Sequence, residues 1–215
     1  MNTVHKLQDE WLLSYAAGAL DPGRTLMVAS HLAYHDELQD AVANAEAIGG
    51  SLLEALTAAD VSEDKLDELM SRLDDSVVPE VKPVSTTGGE YPQPLMEFLN
   101  CELESLNWRF MGPGMRNARL WNGPNDERLW LLRARGGIAV PEHGHSGDEW
   151  TLILKGSYRT ELGQFRIGEM DVAGEDVIHQ PLIDDGEECI CLVMTEGPIR
   201  LKSLMARMIQ PFFGL

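Results

Sequence analysis

Residues 137–156 read Gly137-Ile-Ala-Val-Pro-Glu-His143-Gly-His145-Ser-Gly-Asp-Glu149-Trp-Thr-Leu-Ile-Leu-Lys-Gly156, and their spacing decides the fold. Successive side chains of a strand point to opposite faces, so His143 and His145, two apart, project together. Glu149 opens the next apolar run after a short turn and can join them. A fourth group, His179 in DVIHQP, arrives from a distant segment. Three imidazoles and one carboxylate form a nitrogen and oxygen donor set that suits zinc, iron, manganese or nickel. An isolated H-x-H pair is weak evidence; the weight lies in the unbroken pattern G-x5-H-x-H-x3-E-x6-G. With four protein ligands such a site is structural, and with added water it gains Lewis-acid or oxygen chemistry.

The surrounding sequence has the texture of short strands. From about Asn107 onward, RLWLLRAR, WTLILKG, SYRTEL and ECICLVMTEG are separated by glycine and proline at even spacing, which predicts a sandwich or barrel. Residues 1–75 differ, with one proline and helical spacing. Leu7, Trp11, Leu12 and Tyr15 fall on one face. Asp21-Pro22 reads as an N-cap followed by proline at the first helical position. The helix that follows runs through Leu26 and Leu32, and Leu38, Ala41, Val42 and Ala45 continue the pattern until Gly49-Gly50 interrupts it. Ser62 is placed to cap an acidic helix, SEDKLDELMSRLDD, with Leu66, Leu69, Met70 and Leu73 inward. Three or four helices are expected. Residues 76–94 hold four prolines and two glycines and read as a linker; Pro94-Leu95 then starts a short helix. The fold class is α + β in two domains: a small helical bundle over 1–75, the linker 76–94, and an all-β domain over 95–215.

Composition narrows the function. No apolar run approaches the roughly 18–20 residues that span a bilayer. The start, MNTVHKLQDEW, lacks the basic and apolar regions of a secretory signal, so a cytoplasmic protein with no membrane role is expected. Three cysteines are too few for a disulfide framework. Cys189 and Cys191 share one face of a predicted strand, either as small core residues or as a redox pair near the metal. The formal net charge is -18, and five basic against sixteen acidic residues precede Val84. Such a field repels nucleic acid and favours a basic protein partner.

The pattern around His143 resembles the first cupin motif. Gly168, Gly174, Asp176 and His179 follow the second motif in spacing, with Gly174 and Asp176 in place of the usual proline and glycine and Ile183 in place of the usual asparagine. From about Leu12 to Leu215 the chain resembles the ChrR-type anti-sigma factors of bacteria. The resemblance is carried by LLSYAAGALDPGRTLMVASHLAYHDEL, AIGGSLLEAL, PEHGHSGDEWTLILKGSYRTELGQFRIGEMDVAGEDVIHQP, ECICLVMTEGPIRL and QPFFGL. It implies a helical domain that binds and inhibits an extracytoplasmic-function sigma factor. It further implies a jelly-roll cupin that holds zinc at His143, His145, Glu149 and His179 and is needed for release under singlet-oxygen-type stress, with no enzymatic activity.

The resemblance also implies an N-terminal zinc set of the form H…H-x3-C-x2-C. His5 and His31 match its histidines, while His35 and Leu38 stand at its two cysteine positions. Leucine cannot ligate, so zinc there is held by His5, His31 and His35 with water or a carboxylate such as Asp36, or weakly, or not at all. His31 and His35 are expected to share one helical face. Sigma binding would bury helix faces around Leu12, Leu26 and Leu52. A rival reading is a metal-dependent, dioxygenase-like cupin enzyme with a helical appendage.

Overall fold

The computed structural model describes residues 7–75 and 89–201. His5, residues 76–88 of the expected linker and the terminal QPFFGL lie outside the described residues. Helices form at Asp9–Ala16 (α1), Pro22–Leu32 (α2), Asp36–Glu54 (α3), Glu63–Asp75 (α4) and Gln93–Leu99 (α5). The start of α2 follows from its sequence. The Asp21 carboxylate accepts a hydrogen bond from the Arg24 backbone N–H at 3.0 Å, and Pro22 takes the first helical position.

Two expectations about the helices are corrected. Gly49 and Gly50 do not interrupt α3, which continues to Glu54. Both are exposed, and each costs only about 1 kcal/mol relative to alanine, which a 19-residue helix absorbs. Nor do Leu66, Leu69 and Met70 point inward: they are exposed, because α4 finds no apolar surface to cover within the described residues. The side chain of Leu73 is among those not described.

Among the described residues the β part has twelve strands: Arg109–Gly112 (β1), Met115–Asn122 (β2), Glu127–Ala134 (β3), His143–Gly144 (β4), Glu149–Lys155 (β5), Ser157–Thr160 (β6), Gly163–Arg166 (β7), Met170–Ala173 (β8), Ile178–His179 (β9), Leu182–Ile183 (β10), Cys189–Glu196 (β11) and Arg200–Leu201 (β12). All pairings are antiparallel. One six-stranded sheet runs β1-β2-β3-β11-β5-β8, and two three-stranded sheets run β10-β6-β7 and β12-β4-β9. Together they make the all-β barrel domain expected beside the helices.

Strands β3, β5 and β11 are buried on both faces, which explains their nearly continuous apolar sequences. Inward residues alternate with outward ones. Trp130, Leu132, Ile153, Cys191 and Val193 meet Tyr158, Phe165 and Ile183 inside the barrel. Leu129, Leu131, Trp150, Leu152, Leu192 and Met194 face outward and share a second core with Leu12, Met27, Val28 and Leu95 of the helices. The helical layer is thus a lid on the outer face of the sheet, and α2 lies against β3 and β11.

Polar contacts fix this layer in register. The Trp11 and Trp150 rings meet edge to face with centroids 4.4 Å apart. Arg24 lies over Trp150, 5.7 Å from the ring centroid, and pairs with Glu196 on β11. Gly23 is where the helix comes closest: a Cβ there would lie 2.8 Å from the Trp121 ring and 3.0 Å from the Met194 sulfur.

Gly23→Ala is therefore expected to destabilise the protein by about 1–3 kcal/mol, through overpacking. Gly49→Ala, with nothing within 4 Å of the new carbon, is expected to stabilise α3 by about 0.5–1 kcal/mol. Denaturant unfolding of both variants checks the opposite signs.

A candidate metal centre inside the barrel

Four side chains converge at one end of the barrel. His143 lies on β4, directly paired with His179 on β9. Glu149 is the first residue of β5, paired with Thr195 of β11 on one side and Ala173 of β8 on the other. His145 sits in the turn between β4 and β5. All four are buried, and one ligand atom from each lies within 4.8 Å of the others. Among the described residues this is the single group of three or more possible metal ligands.

The distances have the scale of a coordination sphere. The Glu149 Oε1 atom is 3.7 Å from His143 Nε2, 3.6 Å from His145 Nε2 and 3.4 Å from His179 Nε2. The Nε2 atoms of His143 and His179 are 3.1 Å apart. A tetrahedron with bonds of about 2.0–2.1 Å has edges of roughly 3.4 Å. The donors fit a metal on chemical grounds as well. The Nδ1–H of His143 donates to the Pro141 carbonyl at 2.8 Å, which leaves its Nε2 lone pair facing the cluster. The Nε2 of His145 is buried with no hydrogen-bond partner, a cost that a coordinated cation removes.

The electrostatics point the same way. Burial alone would raise the Glu149 carboxyl, but hydrogen bonds from His143 and His179 and the charge of His143 and His145 override it and hold the group far below the usual carboxylate range. Burial pushes His145 down, toward the neutral form that ligates. Burial would lower His143 too, yet the Glu149 carboxylate and the Pro141 carbonyl raise it. A bound divalent ion would supply Lewis acidity at this point, and a fixed charge that ties three strands together. A buried anion among three imidazoles is the arrangement these residues provide for it.

The N-terminal candidates are arranged otherwise. His31 is buried in the last turn of α2 and accepts from the Leu7 N–H at 3.4 Å. His35 does not share its helix: α2 ends at Leu32, and His35 is the residue preceding α3. The chain turns at Ala33-Tyr34, which still leaves the two rings 4.5 Å apart. His35 Nε2 donates to the Gly168 carbonyl at 2.8 Å, and its Nδ1 lies 3.5 Å from Glu37 Oε1. That bond reaches across from the helices to the loop before β8. Leu38 is partly buried against the helical core, and Asp36 is exposed.

Cys189 and Cys191 do share one face, inside the barrel, with sulfurs 3.5 Å apart and no exposure. The hydrogen bond with Cys189, then burial, pushes the Cys191 thiol well up. The Cys191 thiol is thereby held protonated and of low nucleophilicity.

The sequence reading missed the contacts that attach the site to the helices. Trp150 directly follows Glu149 and points to the opposite face, where it meets Trp11. Its adjacency to a ligand and the unbroken apolar run of β5 were the available signals.

Comparison with known proteins agrees with this arrangement. The family described as ChrR Cupin-like domain matches residues 97–199. The anti-sigma-E factor ChrR of Cereibacter sphaeroides is 37% identical over 215 residues, covering all of both chains. Among solved structures, the crystal structure of Rhodobacter sphaeroides SigE in complex with the anti-sigma ChrR matches with a TM-score of 0.78 and 37% identity, over 89% of this chain and 98% of that one.

The barrel cluster is expected to retain about one metal equivalent per chain, from one closed four-ligand site. His179→Ala is expected to weaken retention at least tenfold, since even an outer partner of a ligand is worth about 10–100-fold. Elemental analysis after chelator competition checks this; undiminished metal in the variant would remove these residues from the site.

Proposed function

The chain belongs to the family of ChrR-type anti-sigma factors, and on that premise we propose that its N-terminal helices bind and inhibit an extracytoplasmic-function sigma factor. The barrel, holding zinc at His143, His145, Glu149 and His179, sets when that hold is released. The observation that carries the reading is an unpartnered surface. From Glu46 through Arg72 every side chain that is described is exposed. Within this stretch Ile48, Leu52, Leu53, Leu56, Val61, Leu66, Leu69 and Met70 are all more than half exposed. Many exposed large apolar groups along two amphipathic helices and their connection mark a candidate interaction site.

Burial separates this surface from the chain's own core. Leu52 remains a candidate contact, whereas Leu12 and Leu26 are buried against the barrel and leave the docking face. The partner's chemistry follows from charge. A sigma factor must offer basic surface to promoter phosphates, and acidic helices carrying apolar stripes compete for such a surface. In this reading residues 1–75 form the sigma-binding unit, 76–94 the linker and 95–215 the release module, in the cytoplasm. No described helix is long and apolar enough to cross a membrane.

Release under oxidative stress of the singlet-oxygen type is the finer part of the proposal. Support for it comes from the layering: β5 and β11 carry Glu149 and Cys191 inward, and Trp150 and Met194 outward to the helices. Damage inside the barrel thus reaches the helical layer through alternate residues of the same strands. The N-terminal zinc plays no part in this reading, because Leu38 offers no donor atom and packs against the helical core.

Co-expression with the sigma factor of the same genome neighbourhood is expected to give a stable one-to-one complex. Leu52→Asp and Leu66→Asp are each expected to weaken it roughly tenfold or more. Association is expected to slow by about tenfold between low and high salt. A chain that bound no sigma factor, yet turned over a small diketone with iron, would instead be an enzyme.

A further inference from the structure

The barrel interior is not filled. A cavity of about 300 Å³ lies between the inner faces of β3 and β11 and the strand β10, with Phe110, itself 62% exposed, at its rim. Close-packed interiors leave few voids larger than a water molecule, and an apolar void of this size is costly to leave empty. Small barrels either fill their interiors with side chains or hold one small ligand. This volume matches the lower range of ligand pockets.

The lining specifies the occupant. Met111, Met115, Trp130, Leu132, Val193 and Ile199 make a hydrocarbon wall, and no lysine or arginine lines the cavity. The polar groups gather at one end. There the Tyr158 hydroxyl is already committed to Asp171 at 2.8 Å, and His143 and Glu149 belong to the metal cluster. Thr151 is the remaining polar side chain at that end. At about 30 Å³ per heavy atom, roughly the share of a water molecule in the liquid, the space takes about ten heavy atoms.

We propose that the barrel is a receptor for a largely hydrocarbon small molecule of about ten heavy atoms with a single polar head, seated beside His143 and Glu149. Two methionines at the rim suit entry of such a molecule, because their side chains repack at low cost. The strands that line the cavity also carry the helical layer on their outer faces, so occupancy supplies the barrel with an input separate from the metal. The inference concerns binding by this chain alone and stands or falls independently of the sigma-factor reading.

The test uses the full, metal-loaded chain with 1-octanol as the probe. Octanol is expected to raise the unfolding midpoint saturably by a few degrees and to change tryptophan fluorescence through Trp130. Val193→Phe fills the cavity and Met115→Trp narrows its rim; each is expected to abolish the octanol response while keeping the metal. If Val193→Phe does not fold, Met115→Trp carries the comparison. The proposal is overturned by an absent or unsaturable octanol response, or by an equal response in the folded variants.

Discussion

The architecture depends on the period-two alternation of β5. Glu149 turns into the barrel, where it meets three imidazoles, and Trp150 turns out, where it meets Trp11 beneath Arg24. No strand conformation can move one of these side chains without turning the other, because neighbouring residues on a pleated strand are tied to opposite faces. The same holds on β11, where Cys191 and Val193 line the interior and Leu192 and Met194 support the helices. Two cores are thus built on one sheet, and the metal cluster sits at the edge of one of them.

This arrangement makes the helical layer part of the barrel's stability. Isolated helices of 8 to 19 residues are marginal in water, and α1 and α2 gain their order from the apolar face of the sheet. The distal half of α3 and α4 gain nothing from it and expose their apolar residues. If a partner covers these residues as proposed, the chain's acidity selects the sign of that partner. Stability is therefore divided along the chain: the part that meets the barrel is fixed, and the part offered to a partner is not supported from within.

His35 illustrates how a substituted position acquires a different role. At a place where the family resemblance implies a cysteine ligand, this chain has an imidazole bonded to the Gly168 carbonyl. The contact crosses between helices and barrel, much as the Arg24–Glu196 pair does. A lost thiolate is here accompanied by a gained interdomain hydrogen bond, and Leu38, which cannot ligate, packs instead into the helical core.

The H-x-H-x3-E spacing of three candidate ligands, the helix start at Asp21-Pro22 and the change from helical to strand periodicity were legible in the sequence, because each rests on spacing within a few residues of chain. The family, too, was legible from motifs in fixed order. Which apolar face is covered was not. Leu12 and Leu66 obey the same helical periodicity, yet the first is buried and the second exposed, because periodicity defines a face and only a neighbouring element decides whether that face is filled. The break expected at Gly49-Gly50 failed for a related reason: glycine weakens a helix but ends it only where the backbone must turn. The convergence of His179 on His143, the cavity beside them and the docking of Trp11 on Trp150 needed the tertiary structure, since they join residues far apart in the chain, whose approach local rules do not specify.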